Sequence, residues 1–410
     1  MNRIVPRLLA GLCVIVQLND ATVEARSRGT LLIEVQAGDT DRQEMPLSVT
    51  LPDDLSTAKY IWMQRVDTGT LVAAQRSVDD PAQCYWFLRD VLPAGQARRY
   101  RISASDIQHN LDKHVDVADN SKALNVNVRG RPVLTYHTSV VMPPEGLDPI
   151  FQRSGFIHPL RTPSGHVLTE AFPEDHLHQH GIFAAWVKTT FEGREIDFWN
   201  QKGGTGTVEH LEVVSSASGP VFGEFTVKLR HLALSESSEP TAVLDETWTV
   251  RVYDRSDVYV IDLISEQNCA TDKPLSLHEY HYGGMAFRGT SQWLDQDGSD
   301  FLTSEGKSRA DGNHSRPHWT DAFGLVDGQL CGVTVLQHPS NIRYPSPVRL
   351  HPSKPYFVYT PVALGEMMIE PNQPLVSQYR YIVHDGPVDH QHTSNASLNY
   401  TAPPMVKIID

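Results

Sequence analysis

The segment DHLHQHGIF, Asp175 to Phe183, places His176, His178 and His180 at every second position, behind the acidic pair Glu174–Asp175 and ahead of Gly181. An imidazole gives and takes protons near neutral pH, and a neighbouring carboxylate fixes its tautomer. The neutral ring also binds divalent metals. Read as an extended strand, residues two apart share a face, so the three histidines line one side. At about 3.3 Å per residue, His176 and His180 then stand roughly 13 Å apart. A single metal takes two of them plus a distant ligand unless the chain bends, and His176, His178 and His278 form that metal-binding alternative. The acid–base reading asks less, with His176, His178, His278 or His281 exchanging protons and Asp175, Glu174, Glu279 or Glu370 as carboxylate partners.

Histidine is abundant throughout, with 19 in the chain. One group holds His158, His166, His176, His178 and His180. A second, LHEYHYGGMAF, holds His278 and His281, and a third, HPSNIRYPSPVRLHPSKP, holds His338 and His351. Each falls at a joint rich in proline or glycine, where β-scaffolds usually carry their sites. Aromatic residues accompany them: Trp186, Phe198, Trp199, Tyr280, Tyr282 and Trp319. An apolar ring beside hydrogen-bonding groups suits a sugar, whose C–H face is apolar and whose edge is hydroxylated. The expected ligand contacts are His158, His180, Arg153, Trp186, Trp199, Glu279, Tyr280, Tyr282 and Arg343. Arg153, Arg343 and Arg349 could clamp a carboxylate on an acidic sugar. The chain has no G-x-S-x-G elbow, Walker A loop, HExxH or dinucleotide fingerprint, which lowers the standing of serine hydrolases, nucleotide hydrolases, zincins and Rossmann enzymes.

The elements that must hold these residues read as strands. VFGEFTVKLRHLAL (Val221 to Leu234) and ETWTVRVY (Glu246 to Tyr253) alternate apolar and polar. DRSD then turns the chain into VYVIDLI (Val258 to Ile264). YFVYTPVAL and SQYRYIVHD repeat the pattern nearer the C-terminus, while helical periodicity is almost absent. TLLIEVQ, MPLSVTL, YIWMQRV, GTLVAAQ and RRYRISA suit a small N-terminal β-sandwich. The expected organisation is a signal peptide over residues 1–25, a sandwich over 26–116 and a larger two-sheet domain over 117–410.

Composition bounds the partners. The chain of 410 residues is 40% apolar and 20% charged, with a formal charge of −14. Phosphates of nucleic acid and anionic membrane surfaces would both be repelled. Arg3 and Arg7, the apolar run Leu8–Leu18 and VEA ending at Ala25 have the form of an export signal, which implies a periplasmic or secreted protein. No apolar run reaches 18 residues, so no membrane association is expected once the signal is removed. Cys84, Cys269 and Cys331 are widely spaced with no CxxC, which suggests buried thiols rather than a disulfide framework.

GFIHPLRTPSGHVLTEAFPEDHLHQHGIFAAW (Gly155 to Trp186), DFWN, HEYHYGGMAFRG, HPSNIRYPSPVRLHPSKPYF and YRYIVHDG together resemble one bacterial family. It is catalogued as methane oxygenase PmoA or as a domain of unknown function, and occurs in exported proteins of polysaccharide-degrading bacteria. The resemblance covers about Val117 to Asp389. Members often show D-H-P-H-H/Q-R/K-G; this chain matches at Asp175, His176, His178 and Gly181, with Leu177 in place of proline and His180 in place of the basic residue. A looser similarity is to galactose mutarotase-like supersandwich proteins. HGIF, HEYH and MMIEP fall in the order of their loop, strand and late-glutamate motifs. That similarity implies a large antiparallel supersandwich, with Glu370 as base and His278 or His180 as acid on a sugar ring. The combined expectation is an exported all-β carbohydrate-active protein whose histidine and carboxylate chemistry drives epimerisation, elimination or hydrolysis, with no cofactor. The alternatives are a metal-dependent, possibly copper, oxidoreductase and a non-catalytic glycan binder.

Overall fold

The computed structural model describes residues 29–107, 113–235, 239–294 and 299–409. The expected signal segment lies outside these residues. The chain is all-β, built from a small sandwich and a large one. Thr30–Gln36, Tyr60–Arg65, Leu71–Val72, Ala97–Ser105 and the C-terminal Met405–Ile408 form one sheet of the small sandwich. Met45–Thr50, Ala74–Arg76 and Gln83–Leu88 form the other. Alternation works here as physics requires: Leu31, Ile33 and Val35 from the first sheet meet Met45, Leu47, Val49 and Trp86 from the second in one buried core.

The large domain stacks two eight-stranded antiparallel sheets. The first runs Val348–Leu350, Tyr356–Tyr359, Gly284–Arg288, Ile182–Ala185, Ile157–Leu160, Arg131–His137, Ala123–Val128 and Val115–Asp119. The second runs Gly206–Ala217, Phe222–Ala233, Thr241–Tyr253, Tyr259–Cys269, Leu375–Asp385, Gln329–Gln337, Trp319–Val326 and Asp300–Thr303. One continuous apolar core joins them. The boundary expected between residues 116 and 117 lies inside Val115–Asp119. The strand Met405–Ile408 crosses back to pair with Thr30–Gln36, Ile33 opposite Ile408.

The two sandwiches are docked on one another. Asp254, from the DRSD turn, is buried and accepts from Arg89 at 2.7 Å, Arg129 at 2.8 Å and His114 at 2.9 Å. Phe87 packs beside Val221, Phe222, Tyr253 and Val260. Cys84, Cys269 and Cys331 are free thiols. A smaller sheet of Thr189–Phe191, Arg194–Ile196, Leu275–Leu277 and Met367–Ile369 lies alongside. A helix, His390–Thr401, precedes the last strand, its first turn capped by the Asp389 carboxylate accepting from the His392 amide.

Within the first large sheet, alternation decides which side chains meet the second. The Tyr359 hydroxyl donates to the Val335 carbonyl at 2.7 Å, and Phe357 packs on Phe301. Tyr356 and Val358 therefore point the other way. Arg288 is the register partner of Tyr356, and Arg349 is that of Val358. Register alone thus sets Arg288, Arg349 and Tyr356 on one face, away from the inter-sheet core.

Candidate active site

The segment expected as a strand is instead a pair of consecutive turns. The His176 amide donates to the Pro173 carbonyl at 2.9 Å, and the Gln179 amide donates to the His176 carbonyl at 2.9 Å. Pro173, Glu174 and Asp175 are turn formers, and they outweigh the alternation of histidines. This is the bend that a flat strand lacks. It brings the His176 and His178 rings to 5.6 Å between centroids and sends His180 inward, against Phe156, Phe172 and Phe183. The return to the sheet is fixed at Gly181, whose φ is +61°. A Cβ there would stand 2.2 Å from the Ile157 carbonyl oxygen. Gly181→Ala is therefore expected to destabilise the fold by roughly 2 kcal/mol or more, read as a lowered thermal midpoint. An unchanged midpoint would contradict the close packing of this turn on the neighbouring strand.

Asp175 anchors the turns to the sheet. Its Oδ1 and Oδ2 accept from Arg288 Nη2 at 2.7 Å and Nη1 at 3.2 Å. Arg288 is fully buried and also donates to the Gln179 side chain at 3.0 Å. Burial alone would raise the Asp175 pKa, but the Arg288 fork and His176 outweigh it and hold the carboxyl at about 2. Asp175 is thus a fixed carboxylate, not a proton donor. Its Oδ2 also lies 3.1 Å from His176 Nδ1. A carboxylate only accepts, so the Nδ1 proton of His176 points at it and the neutral ring keeps its lone pair on Nε2.

His351 has the opposite tautomer. Its Nδ1 accepts from the amides of Ser353 at 3.2 Å and Lys354 at 2.9 Å, so the ring proton sits on Nε2. The His351 ring centroid is 5.6 Å from that of His176. Two neighbouring rings thus carry, in their neutral forms, a lone pair on one Nε2 and a proton on the other. Burial, then the charges of Arg349, His176, Lys354 and Arg309, push His351 down to about 4. Burial, then His176, Arg153 and Arg288, do the same to His178.

Aromatic contacts carry the cluster onward. Tyr356 packs against His176, His351 and Trp199, and Trp199 against Tyr282. Tyr280, His281 and Tyr282 pack on one another, and the Asn200 amide donates to the Tyr282 hydroxyl at 3.3 Å. The charge of Arg349 acts on His351, Tyr356 and His281, between the two groups.

Several residues singled out in the sequence lie elsewhere. His180 is fully buried in an apolar pocket and reaches no ligand surface. His158 bonds Thr169 at 3.0 Å. His278 bonds the Thr190 hydroxyl at 2.8 Å and faces Glu366, so His176, His178 and His278 do not converge. Among the described residues, no three histidine, cysteine or carboxylate side chains form a metal-ligand set. Arg153 is buried, donates to the Ala184 carbonyl and lies over Phe183. Arg343 pins the loop after Tyr356–Tyr359 through the carbonyls of Pro361, Gly365 and Glu366. Glu370 is exposed in a turn with Gln373, near Cys269, and Glu279 is exposed beside Tyr280. Trp186 and Trp199 are buried, Trp186 donating to Gln267 at 2.8 Å, so neither offers a free stacking face. Arg288, Lys354 and Tyr356 are members that residue type and spacing did not identify, and His351 stood out in the sequence only as one of a histidine group, without a role. Glu170, half-buried with its pKa raised by burial, stands within reach of the Arg288 and Asp175 charges.

His158, like His178 and His351, is pushed down to about 4, chiefly by burial. Between about 6.5 and about 4 the unfolded chain binds more protons at these sites than the folded one, so they remove stability as the pH falls through that window. Urea denaturation should show a lower midpoint at about pH 5 than at about pH 7, with the difference reduced in His158→Gln. Equal midpoints would contradict the burial of these rings.

No protein of curated function matches the chain. Among solved structures it is similar to a glycosyl hydrolase family 38 protein from Enterococcus faecalis, at 11% identity and a TM-score of 0.45, over 93% of this chain and 47% of that one. It is also similar to heparan sulfate lyase HepC from Pedobacter heparinus, at 9% identity and a TM-score of 0.31, over 70% and 38%. A third is a galactose mutarotase related enzyme from Lactobacillus acidophilus, at 8% identity and a TM-score of 0.29, over 66% and 97%. The chain spans less than half the length of the first of these. In sequence, residues 123–397 match a family model whose description names no methane oxygenase. That match takes in both large sheets except the edge strand Val115–Asp119, with the tandem turns and the His351 loop, and the chain belongs to the family of unknown function DUF6807.

Proposed function

We propose that the protein is an exported carbohydrate-active enzyme that moves protons on a sugar ring. The observation behind this reading is the pair of opposite tautomers at His176 and His351. His176, oriented by Asp175, takes a proton at Nε2, and His351 supplies one from its Nε2–H. Epimerisation and elimination both need one acceptor and one donor beside the same ring. Glycoside hydrolysis by paired carboxylates fits less well, because it calls for a carboxyl that donates and Asp175 is locked as an anion by Arg288. Tyr280, Tyr282 and Asn200 supply apolar and hydrogen-bonding surface suited to a sugar. A metal bound by His176, His178 and His351 is disfavoured, because His351 Nε2 carries a proton where a ligand needs a lone pair.

The test is a screen of oligosaccharides and glycosides with product identification by mass spectrometry and NMR, comparing wild type with His176→Ala. Conversion by the wild type and its loss in the variant are expected. Glycan binding with no conversion, or conversion that survives the substitution, would overturn the reading.

A further inference from the structure

The cluster around His176 holds more positive charge than its own carboxylate can neutralise. Arg288, Arg349 and Lys354 are its cations; Asp175 is the one carboxylate among the described residues within ion-pair distance of any of them, and Glu170, whose pKa burial raises, feels the charge of Arg288 but not of Arg349 or Lys354. Both Asp175 oxygens already accept from Arg288, and Lys354 Nζ stands off at 3.7 Å. Arg349 has neutral partners, donating from Nη1 to the Asn313 side chain at 3.1 Å and hydrogen-bonding the Tyr356 side chain, and no carboxylate within ion-pair distance among the described residues. Its Nε is buried with no hydrogen bond. Such groups are costly to leave unmatched, and the chain is otherwise rich in acid, with a formal charge of −14. The sheet register puts Arg349 on the face that carries Tyr356 and Arg288, and His351 and Lys354 follow on the same connection.

We propose that this cluster takes an acidic sugar, whose carboxylate binds between Arg349 and Lys354. The inference rests on the acid–base reading for its place and names the substrate class of that site. It also supplies what proton removal by an imidazole requires. A carbon bearing a carboxylate loses its proton to His176 Nε2 with the electron pair passing into the carboxylate, and the cations stabilise that enolate-like charge. The His351 Nε2–H then gives a proton to the ring carbon or to a departing oxygen, and the cycle closes when the proton held by His176 passes through solvent to restore the His351 Nε2–H.

Calorimetric titration of the full chain with short uronic-acid oligosaccharides, and with the same molecules after reduction of their carboxylates to alcohols, tests this. The acidic form is expected to bind roughly ten- to hundredfold more tightly, with the difference shrinking as salt is added. In Arg349→Met the preference should fall towards unity, and Arg349→Lys should keep part of it. If Arg349→Met does not fold, the two ligand forms on the wild type still decide the matter. Equal binding of both forms, no binding of either, or a full preference in folded Arg349→Met would overturn the proposal. Tight acid-selective binding without conversion would leave the anion site standing and remove the catalytic reading. Conversion of the reduced sugars that depends on His176 would do the reverse.

Discussion

Replacing His176 by alanine is expected to lower turnover by about 10²–10⁴-fold while leaving the fold intact. The ring is half-buried and its polar partner is Asp175, which keeps both hydrogen bonds to Arg288 after the substitution. The loss should therefore fall on kcat, with sugar affinity and thermal midpoint close to the wild type. Asp175→Asn is a complementary variant. It leaves a group of the same shape beside His176 but one whose amide can turn a donor toward Nδ1, favouring the wrong tautomer. It should also lose turnover, and in addition lose stability, because fully buried Arg288 then has no counter-charge. A His176→Ala protein with wild-type turnover would remove the acid–base account.

The second large effect is on stability and sits inside the large sandwich. Glu246 is buried in Thr241–Tyr253 and accepts from His231 at 2.7 Å, Trp248 at 2.7 Å and Ser265 at 2.5 Å. Burial opposes its charge, but these donors outweigh burial and keep its pKa below the ordinary value. His231→Leu removes one partner and leaves a carboxylate in the core, at an expected cost of ~3–5 kcal/mol. The double variant His231→Leu, Glu246→Leu should cost less than the sum of the two single changes, because no orphaned charge remains. Urea denaturation of the three variants measures this, and additive costs would contradict it.

Strands were the legible part of the fold. Phe222–Ala233, Thr241–Tyr253 and Tyr259–Cys269 carry apolar residues against the core, and a period of two shows in their middle stretches, such as Phe225, Val227 and Leu229. The return of Met405–Ile408 to Thr30–Gln36 has no local signature, since the pairing joins opposite ends of the chain. The helix His390–Thr401 was hidden by polar composition, although Asp389 ahead of it is a recognisable cap. In the candidate site, Asp175, His176, His178 and the Tyr280–Tyr282 group are residues that their types had singled out, and the fold brings them near one another. The strand reading of 175–180 failed because turn chemistry at Pro173–Asp175 overrides alternation. Arg288 was missed, and His351 was noticed only as part of a histidine-bearing loop with no role attached, for another reason. Arg288 is 113 positions from Asp175, and the tautomer of His351 depends on two backbone amides that no motif describes.

His176 and His351 place the proton of their neutral rings on opposite nitrogens, and nitrogen-15 NMR of the histidine rings reads that directly, without a substrate. At about pH 7 the couplings should show His176 protonated at Nδ1 and His351 protonated at Nε2. The His351 ring should stay neutral well below the usual histidine range, consistent with a pKa of about 4. His176→Ala and His351→Ala assign the two signals. The same tautomer on both rings, or a His351 that titrates near 6.5, would contradict the acceptor–donor pair on which the proposed chemistry stands.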